Sequence, residues 1–170
     1  MTTTDAQTAF VERLERHRGI LVKVVNAYCR DAVAREDLIQ EIAAALWRAY
    51  PRFDGRAAFS TWTYRIAVNV AISFYRSETR KARNVELADR ATLEGVATPQ
   101  EPENLAALGI LHEFIDRLDD LNRALMVLYL DDNSYAEIAA ILGISESNVA
   151  TKISRIKRRL KTEIDALESA

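Results

Sequence analysis

Six residues near the C-terminal end of the chain combine short polar side chains with cations at helical spacing. Asparagine matches adenine through two hydrogen bonds and arginine matches guanine, while serine and threonine hydroxyls bind either base. Lysine and arginine also bind backbone phosphates, whatever the base sequence. Such a set is suited to binding DNA, and it consists of Ser147, Asn148, Thr151, Lys152, Arg155 and Arg158.

The sequence before these residues predicts a helix-turn-helix unit that holds them on one exposed face. Ser134 and Glu137 have the spacing of a capping box, which satisfies two amide donors at a helix start. Gly143 is placed to end that helix, because only glycine adopts the left-handed conformation cheaply. Ser145 is then the natural cap of a second helix.

The second helix has an apolar stripe, formed by Val149, Ile153, Ile156 and Leu160. Their spacing of four, three and four residues turns one face of the helix toward a core. The opposite face carries the polar and cationic set, which suits a recognition helix in a DNA major groove. Three further cations are explained equally well as solvated side chains: Lys157, Arg159 and Lys161.

A second candidate set interleaves aromatic rings and cations between residues 53 and 80. Rings stack on unpaired bases and cations follow the phosphate backbone, so the mixture suits single-stranded DNA. Asn69 can both donate to and accept from a base edge, which makes it the first candidate for base reading. Core packing is the competing explanation for Phe59, Trp62 and Tyr64. The full set is Phe53, Phe59, Trp62, Arg65, Asn69, Ser73, Arg76 and Arg80.

The helix predicted over residues 32–50 has one apolar stripe and one charged stripe. A charged stripe is in most proteins a solvated face, and docking of a partner is the alternative. The apolar stripe is formed by Leu38, Ile42, Leu46 and Ala49. The charged stripe is formed by Asp37, Gln40, Glu41 and Arg48.

The net charge of −2 conceals two basic segments. Residues 52–83 hold seven cations and two anions, and residues 147–161 hold six cations and no anion. Residues 84–104 and 105–146 are acidic, with net charges of −4 and −6. Basic clusters gain affinity for phosphates by releasing counterions, and acidic surroundings lower the affinity for arbitrary DNA. The pattern indicates a protein that needs a partner before it binds DNA.

Helical periodicity and the scarcity of alternating β-branched segments predict an all-α protein of two small helical domains. The domains cover residues 8–83 and 105–168, and an acidic linker over 84–104 joins them around Thr98-Pro99-Gln100-Glu101-Pro102. The predicted helices cover residues 6–30, 32–50, 61–81, 105–118, 121–130, 134–142 and 145–167.

Taken together, these segments resemble the extracytoplasmic-function (ECF, group 4) sigma factors of bacterial RNA polymerase, within the sigma-70 family. The resemblance covers nearly the whole chain. It rests on Asp37-Leu-Ile-Gln-Glu41, on Phe59-Ser-Thr-Trp-Thr-Tyr-Arg-Ile-Ala-Val-Asn69, and on Ser134-Tyr-Ala-Glu-Ile-Ala139 followed by the basic helix. Some positions depart from the family's usual pattern: Thr63 stands where leucine is common, and the last helix opens Ser147-Asn148-Val149-Ala150 where Gly-Thr-Val-Lys is common.

The resemblance implies a sigma region 2-like bundle followed by a sigma region 4-like helix-turn-helix domain. The face with Asp37, Gln40 and Glu41 would dock on the β′ clamp helices of core RNA polymerase, whose β flap is a further expected contact. The aromatic and cationic set would open the minus-10 promoter element and hold a flipped base, at a cost of a few kcal/mol of unstacking. The set on the last helix would read the minus-35 element as duplex.

Two other classes of function can be weighed from the residues. An enzyme is not predicted, because His17 and His112 lack a neighbouring nucleophile or metal-ligand partner and no glycine-rich phosphate loop is present. No cofactor or metal is therefore expected. The acidic pairs Asp119-Asp120 and Asp131-Asp132 are typical of helix caps and solvated turns. Cys29 is best explained as a small core residue.

The remaining alternative is a stand-alone helix-turn-helix regulator that binds paired operator half-sites as a dimer. The sequence leaves open whether an anti-sigma factor is a further partner. It contains no apolar run of membrane-spanning length and no signal peptide, so neither membrane insertion nor secretion is expected, and the expected location is cytoplasmic.

Overall fold

The computed structural model describes residues 3–88 and 103–169, and within these residues it contains helices and no strands. The all-α prediction is therefore confirmed. Among the described residues there is also one 3-10 turn, Tyr50–Arg52, which follows the third helix and contains Pro51. The helices are α1 (Thr3–Arg16), α2 (Arg18–Tyr28), α3 (Ala32–Ala49), α4 (Phe59–Ala88), α5 (Glu103–Asp116), α6 (Asp120–Leu130), α7 (Tyr135–Leu142) and α8 (Glu146–Glu168).

The N-terminal module consists of α1 to α4, with the long helix α4 packed against α2 and α3. Leu38, Ile42 and Leu46 of the predicted apolar stripe are completely buried. Burying a leucine or isoleucine side chain contributes about 1.5–3 kcal/mol, so this stripe fixes α3 against α4. Asp31 caps α3 by accepting a hydrogen bond from the backbone N–H of Ala34 at 2.9 Å.

The C-terminal module consists of α5 to α8, and its turn has the predicted capping. Ser134 accepts from the Glu137 amide at 3.2 Å, and Glu137 accepts from the Ser134 amide at 2.7 Å. The hydrogen bond from the Ser134 amide is the main reason that the pKa of Glu137 is lowered. Gly143 has φ of +69°, and Ser145 caps α8 through the Asn148 amide at 3.2 Å. The helix-turn-helix unit is thus confirmed.

Two predicted helix boundaries are wrong. The helix expected over residues 6–30 is broken at His17, which lets Phe10 pack against Trp47 and Tyr50 while α2 runs along α3 and α4. The helix expected to end at residue 81 continues to residue 88, because no glycine or proline follows until Gly95. The middle of the expected linker, residues 89–102, lies outside the described residues.

The two modules pack directly against each other, with α2 contacting α5 and α6 and α4 contacting α7. Buried side chains form one continuous cluster through this contact, including Tyr28 from the N-terminal module and Phe114 and Leu118 from the C-terminal one. We call this arrangement the closed form.

Candidate polymerase and nucleic-acid interface

The last helix presents the predicted recognition surface. Val149, Ile153 and Ile156 are buried beneath it, as their period predicted. The Thr151 hydroxyl donates to the Ser147 carbonyl at 2.9 Å, and the Ser145 and Ser147 hydroxyls are 3.1 Å apart. Lys152 is half-buried, and the other predicted members are exposed: Ser147, Asn148, Thr151, Arg155 and Arg158.

Two of the three ambiguous cations on α8 contact aromatic rings of their own module. Lys157 donates to the Tyr129 hydroxyl at 3.3 Å, with its ammonium 5.4 Å from that ring's centroid. The Arg159 guanidinium lies 5.9 Å from the Phe114 centroid. These two long side chains cover apolar surface of their own module. This agrees with the interpretation that they are solvated side chains and not DNA contacts.

The fourth helix carries a row of polar residues along one side. All five members are exposed, as their helical spacing predicted, and they are Arg65, Asn69, Ser73, Arg76 and Arg80. On the opposite side, Thr63 and Tyr64 are buried at 0% and 3% exposure. Tyr64 is therefore a core residue, and Thr63 occupies a core position with its hydroxyl unpaired among the described residues.

An aromatic cluster closes the start of this helix. The Phe53 ring centroid lies 5.0 Å from that of Trp62 and 5.5 Å from that of Phe59, and Tyr50 packs against Phe53 and Trp62. These rings are all half-buried. Trp62 and Phe59 are therefore packed in a cluster but keep part of their surface accessible, so core packing and base stacking are both compatible with their positions.

The predicted docking residues Asp37, Gln40 and Glu41 are exposed on α3 and line a shallow groove of about 390 Å³. Sequence reasoning missed the other wall of this groove, where Glu78 and Lys81 of α4 form an ion pair at 2.9 Å. That hydrogen bond is the main cause that raises the pKa of Lys81. The groove therefore combines four charged groups from two helices.

A second groove, of about 480 Å³, lies between α3 and α4 beside the docking residues. Its polar lining comes from Glu41 and Arg48 on one helix and from Asn69 and Ser73 on the other. Arg48 was predicted only as part of a charged stripe. The structure brings it to the same groove as the candidate base-reading residue, which no spacing within either helix indicates.

In the closed form, two cations of the α4 row bind the C-terminal module. Arg65 donates to the Ala140 carbonyl of α7 at 2.5 Å, and Arg76 forms an ion pair with Asp120 at 2.6 Å. Arg80 and Arg83 line the same small groove as that ion pair. One ion pair, Arg76 with Asp120, thus joins a basic segment of the chain to an acidic one.

Arg123 of α6 is buried at the centre of this contact, with 2% of its surface exposed. Its guanidinium lies 4.3 Å from the Tyr75 ring centroid and 5.4 Å from that of Tyr28, both in the N-terminal module. It donates to the Asp116 carbonyl at 2.6 Å, and Tyr28 donates to the Asp120 carbonyl at 3.2 Å. Burial raises the pKa of Tyr28, so the phenol remains a neutral donor.

Three of the four acids in the two acidic pairs have structural roles. Asp119 caps α6 through the Asn122 amide at 2.9 Å, while Asp120 binds Arg76 and Asp131 binds Lys23. Cys29 is buried, and burial raises the pKa of its thiol. Among the described residues, no group of histidine, cysteine or acidic side chains could hold a metal ion.

The helix-turn-helix module and the other helical bundle match the two regions of one family of transcription initiation factors. Residues 14–81 match Sigma-70 region 2, and residues 108–160 match Sigma-70, region 4. The chain belongs to the sigma-70 family, as an ECF sigma factor. It binds core RNA polymerase and directs promoter-specific transcription, and it is not an enzyme.

The chain is similar to the ECF RNA polymerase sigma-E factor of Escherichia coli (strain K12), with 29% identity over 171 residues. That alignment covers 95% of this chain and 89% of the relative. The ECF RNA polymerase sigma-E factor of Haemophilus influenzae is 31% identical over 141 residues, covering 77% of this chain and 75% of the relative. The stand-alone regulator is thereby set aside in favour of the sigma factor.

Two solved structures have the same fold. The sigma factor RpoE from Bartonella quintana, in complex with the anti-sigma factor NepR, has a TM-score of 0.70 at 22% identity, covering 92% of this chain and 97% of that one. CnrH, in complex with the cytosolic domain of CnrY, has a TM-score of 0.69 at 24% identity, covering 94% and 90%. No described helix of our chain is long and apolar enough to cross a membrane.

Proposed function

We propose that three surfaces divide the work of transcription initiation between the modules. The acidic groove with Asp37, Gln40 and Glu41 docks on the β′ clamp helices of the polymerase. The aromatic cluster and the α4 row melt and hold the minus-10 element, and the exposed face of α8 reads the minus-35 element. The corresponding domains are residues 8–83 and 105–168, with 84–104 as the linker between them.

One observation carries this division: the docking groove and the α4 row are adjacent on a single pair of packed helices. Glu41 lines both the acidic groove and the groove that contains Asn69. A polymerase bound at Asp37 and Glu41 would therefore hold the base-reading face of α4 in a fixed position beside it. Such positioning from a rigid element supports recognition of a base that has left the duplex.

For the minus-10 element, we expect Asn69 to contact the edge of a flipped base. We expect Arg48 to lie near the sugar-phosphate backbone of that nucleotide. The groove between α3 and α4 has room for a base, at about 480 Å³, and both side chains line it. Phe53, Phe59 and Trp62 offer ring faces on the same module for stacking.

Asn69→Ala should slow promoter opening by roughly five- to a hundredfold, because one good base-edge contact is worth about 1–3 kcal/mol. Opening is measured as fluorescence of 2-aminopurine placed in the minus-10 element, with reconstituted holoenzyme. Binding to a fragment that carries only the minus-35 element should not change. Asn26→Ala, an exposed asparagine on α2, is the matched control. Unchanged opening by the Asn69 variant would refute its role in base reading.

For the minus-35 element, Arg155→Ala should weaken binding to the cognate duplex by about 1–3 kcal/mol if the guanidinium grips a guanine. Duplexes with that guanine replaced should bind both proteins alike. The measurement is fluorescence anisotropy of the holoenzyme on each duplex. Arg159→Ala is the control, since Arg159 packs on Phe114. An equal loss on every sequence would identify Arg155 as a phosphate contact instead.

The closed form must open before both promoter elements can be bound. The minus-10 and minus-35 elements are named for their positions, so their centres lie about 25 base pairs, or roughly 85 Å of duplex, apart. A compact chain of 170 residues has a radius of gyration of only about 15 Å. Arg65 and Arg76 would also have to exchange their partners on α7 and α6 for promoter phosphates.

A cytoplasmic location and an anti-sigma partner complete the proposal. The location follows from the polymerase and the promoter, which are both inside the cell. The partner is suggested by the two solved relatives, each of which is a complex with a second protein. A protein that stabilised the closed form would keep the two DNA-binding modules together.

A further inference from the structure

The first helix lies against the aromatic cluster and forms part of the same surface. The Phe10 ring centroid is 5.1 Å from that of Trp47 and 5.0 Å from that of Tyr50. At the other end of the helix, the His17 ring is 5.0 Å from Phe59. Most of α1 precedes residue 14, where the match to Sigma-70 region 2 begins.

Arg13 is a cation of α1 that lies beside the aromatic cluster. Its guanidinium is 5.9 Å from the ring centroids of both Phe53 and Phe59, and its side chain is exposed. No described carboxylate forms a salt bridge with it, whereas Arg16 in the next turn is paired with Glu12 at 4.0 Å. Among the described residues, Arg13 is thus a cation beside two half-buried rings with no salt-bridge partner.

The position of Arg13 is fixed by a contact between its backbone and His17. The His17 ring donates from Nδ1 to the Arg13 carbonyl at 2.8 Å, and the same ring packs on Phe59. The backbone at residue 13 is therefore tied to the cluster beneath it. An arginine face attracted to aromatic rings keeps its N–H donors along the edge, where they can bind phosphate.

We propose that Arg13 is a further DNA-binding residue of the minus-10 site, where it binds a phosphate of the unpaired strand whose bases stack on Phe53 and Phe59. This inference rests on the proposed function of the aromatic cluster. It adds α1 to a site that otherwise consists of α4 and of residues 53–58, the loop before α4. The ligand is single-stranded promoter DNA, recognised here through its backbone and not through a base edge.

The test uses the holoenzyme assembled from core polymerase and full-length chain. The probe is the labelled minus-10 non-template strand of a promoter, found by sequencing the transcripts that this holoenzyme initiates in vitro. Arg13→Ala should weaken binding about five- to tenfold at low salt and reduce the slope of log affinity against log salt by about 0.7, the value for one single-strand phosphate contact. Arg13→Lys should retain the slope, and Arg16→Ala should match the wild type in both quantities.

Two results would overturn the inference alone. One is wild-type affinity and slope for Arg13→Ala while Asn69→Ala still impairs promoter opening. The other is a loss of affinity with an unchanged salt slope, which would mean that Arg13 only pins α1 to the loop. A wild-type holoenzyme that binds this strand no better than a scrambled one would overturn the proposed function of the cluster as well.

Discussion

Replacing both Asp37 and Glu41 with arginine should abolish association with core polymerase while leaving the fold intact. Both residues are exposed in the closed form, so the substitutions disturb no core contact. Reversing two charges in a complementary interface costs several kcal/mol, and we expect a loss of about 3 kcal/mol or more, roughly a hundredfold in affinity. The measurement is co-purification with tagged core polymerase, followed by titration.

A matched double reversal, Glu12→Arg with Glu15→Arg, tests whether charge alone is responsible. Both glutamates are exposed on α1 and lie outside the proposed docking groove. This control should bind core polymerase like the wild type. If the Asp37 and Glu41 variant still co-purified at wild-type stoichiometry with an unchanged affinity, the clamp-helix contact would have to be made by a different surface.

Locking the closed form should remove transcription activity. Arg76→Cys and Asp120→Cys replace the ion pair between α4 and α6, and the two thiols can be joined by a short cleavable bis-maleimide in a Cys29→Ser background. The joined protein should direct about a hundredfold less promoter-specific transcript or even less, because the open population falls nearly to zero. The readout is run-off transcription with added core polymerase.

Cleaving the bis-maleimide cross-link in the same sample should restore activity. Recovery would show that the loss came from locking the closed form and not from the substitutions. Each single cysteine variant, modified with the same reagent, should remain active after correction for the lost side chain. Full activity of the joined protein before cleavage would mean that the modules need not separate by this route, and that the contact through Arg123 is compatible with promoter binding.

Local features of the fold were predictable from the sequence because neighbouring residues determine them. The capping box at Ser134 and Glu137, the left-handed Gly143 and the buried stripe at Val149, Ile153 and Ile156 all follow from spacing within one or two helical turns. The exposed row on α4 follows in the same way. Their roles in DNA and polymerase binding remain predictions, which the variants described above address.

Features that depend on distant residues were not predictable. Arg123 carries a charge, and its burial depends on hydrogen bonds to the Asp116 and Leu118 carbonyls and on two tyrosine rings from the other module. Thr63 has a polar side chain, yet it is buried at a core position of α4. The break at His17 accompanies the packing of Phe10 against Trp47 and Tyr50. These residues are far apart in the sequence, so no local pattern predicts the contact. Pairing of Arg65 and Arg76 with the C-terminal module requires knowing which helices meet.

The acidic groove on α3 stays open to solvent while Arg65 and Arg76 are engaged by the neighbouring module. In the proposed division of roles, the polymerase can bind the groove on α3 while Arg65 and Arg76 still contact the C-terminal module. Those two arginines become available to promoter DNA only when the modules separate, so recruitment would come before strand separation.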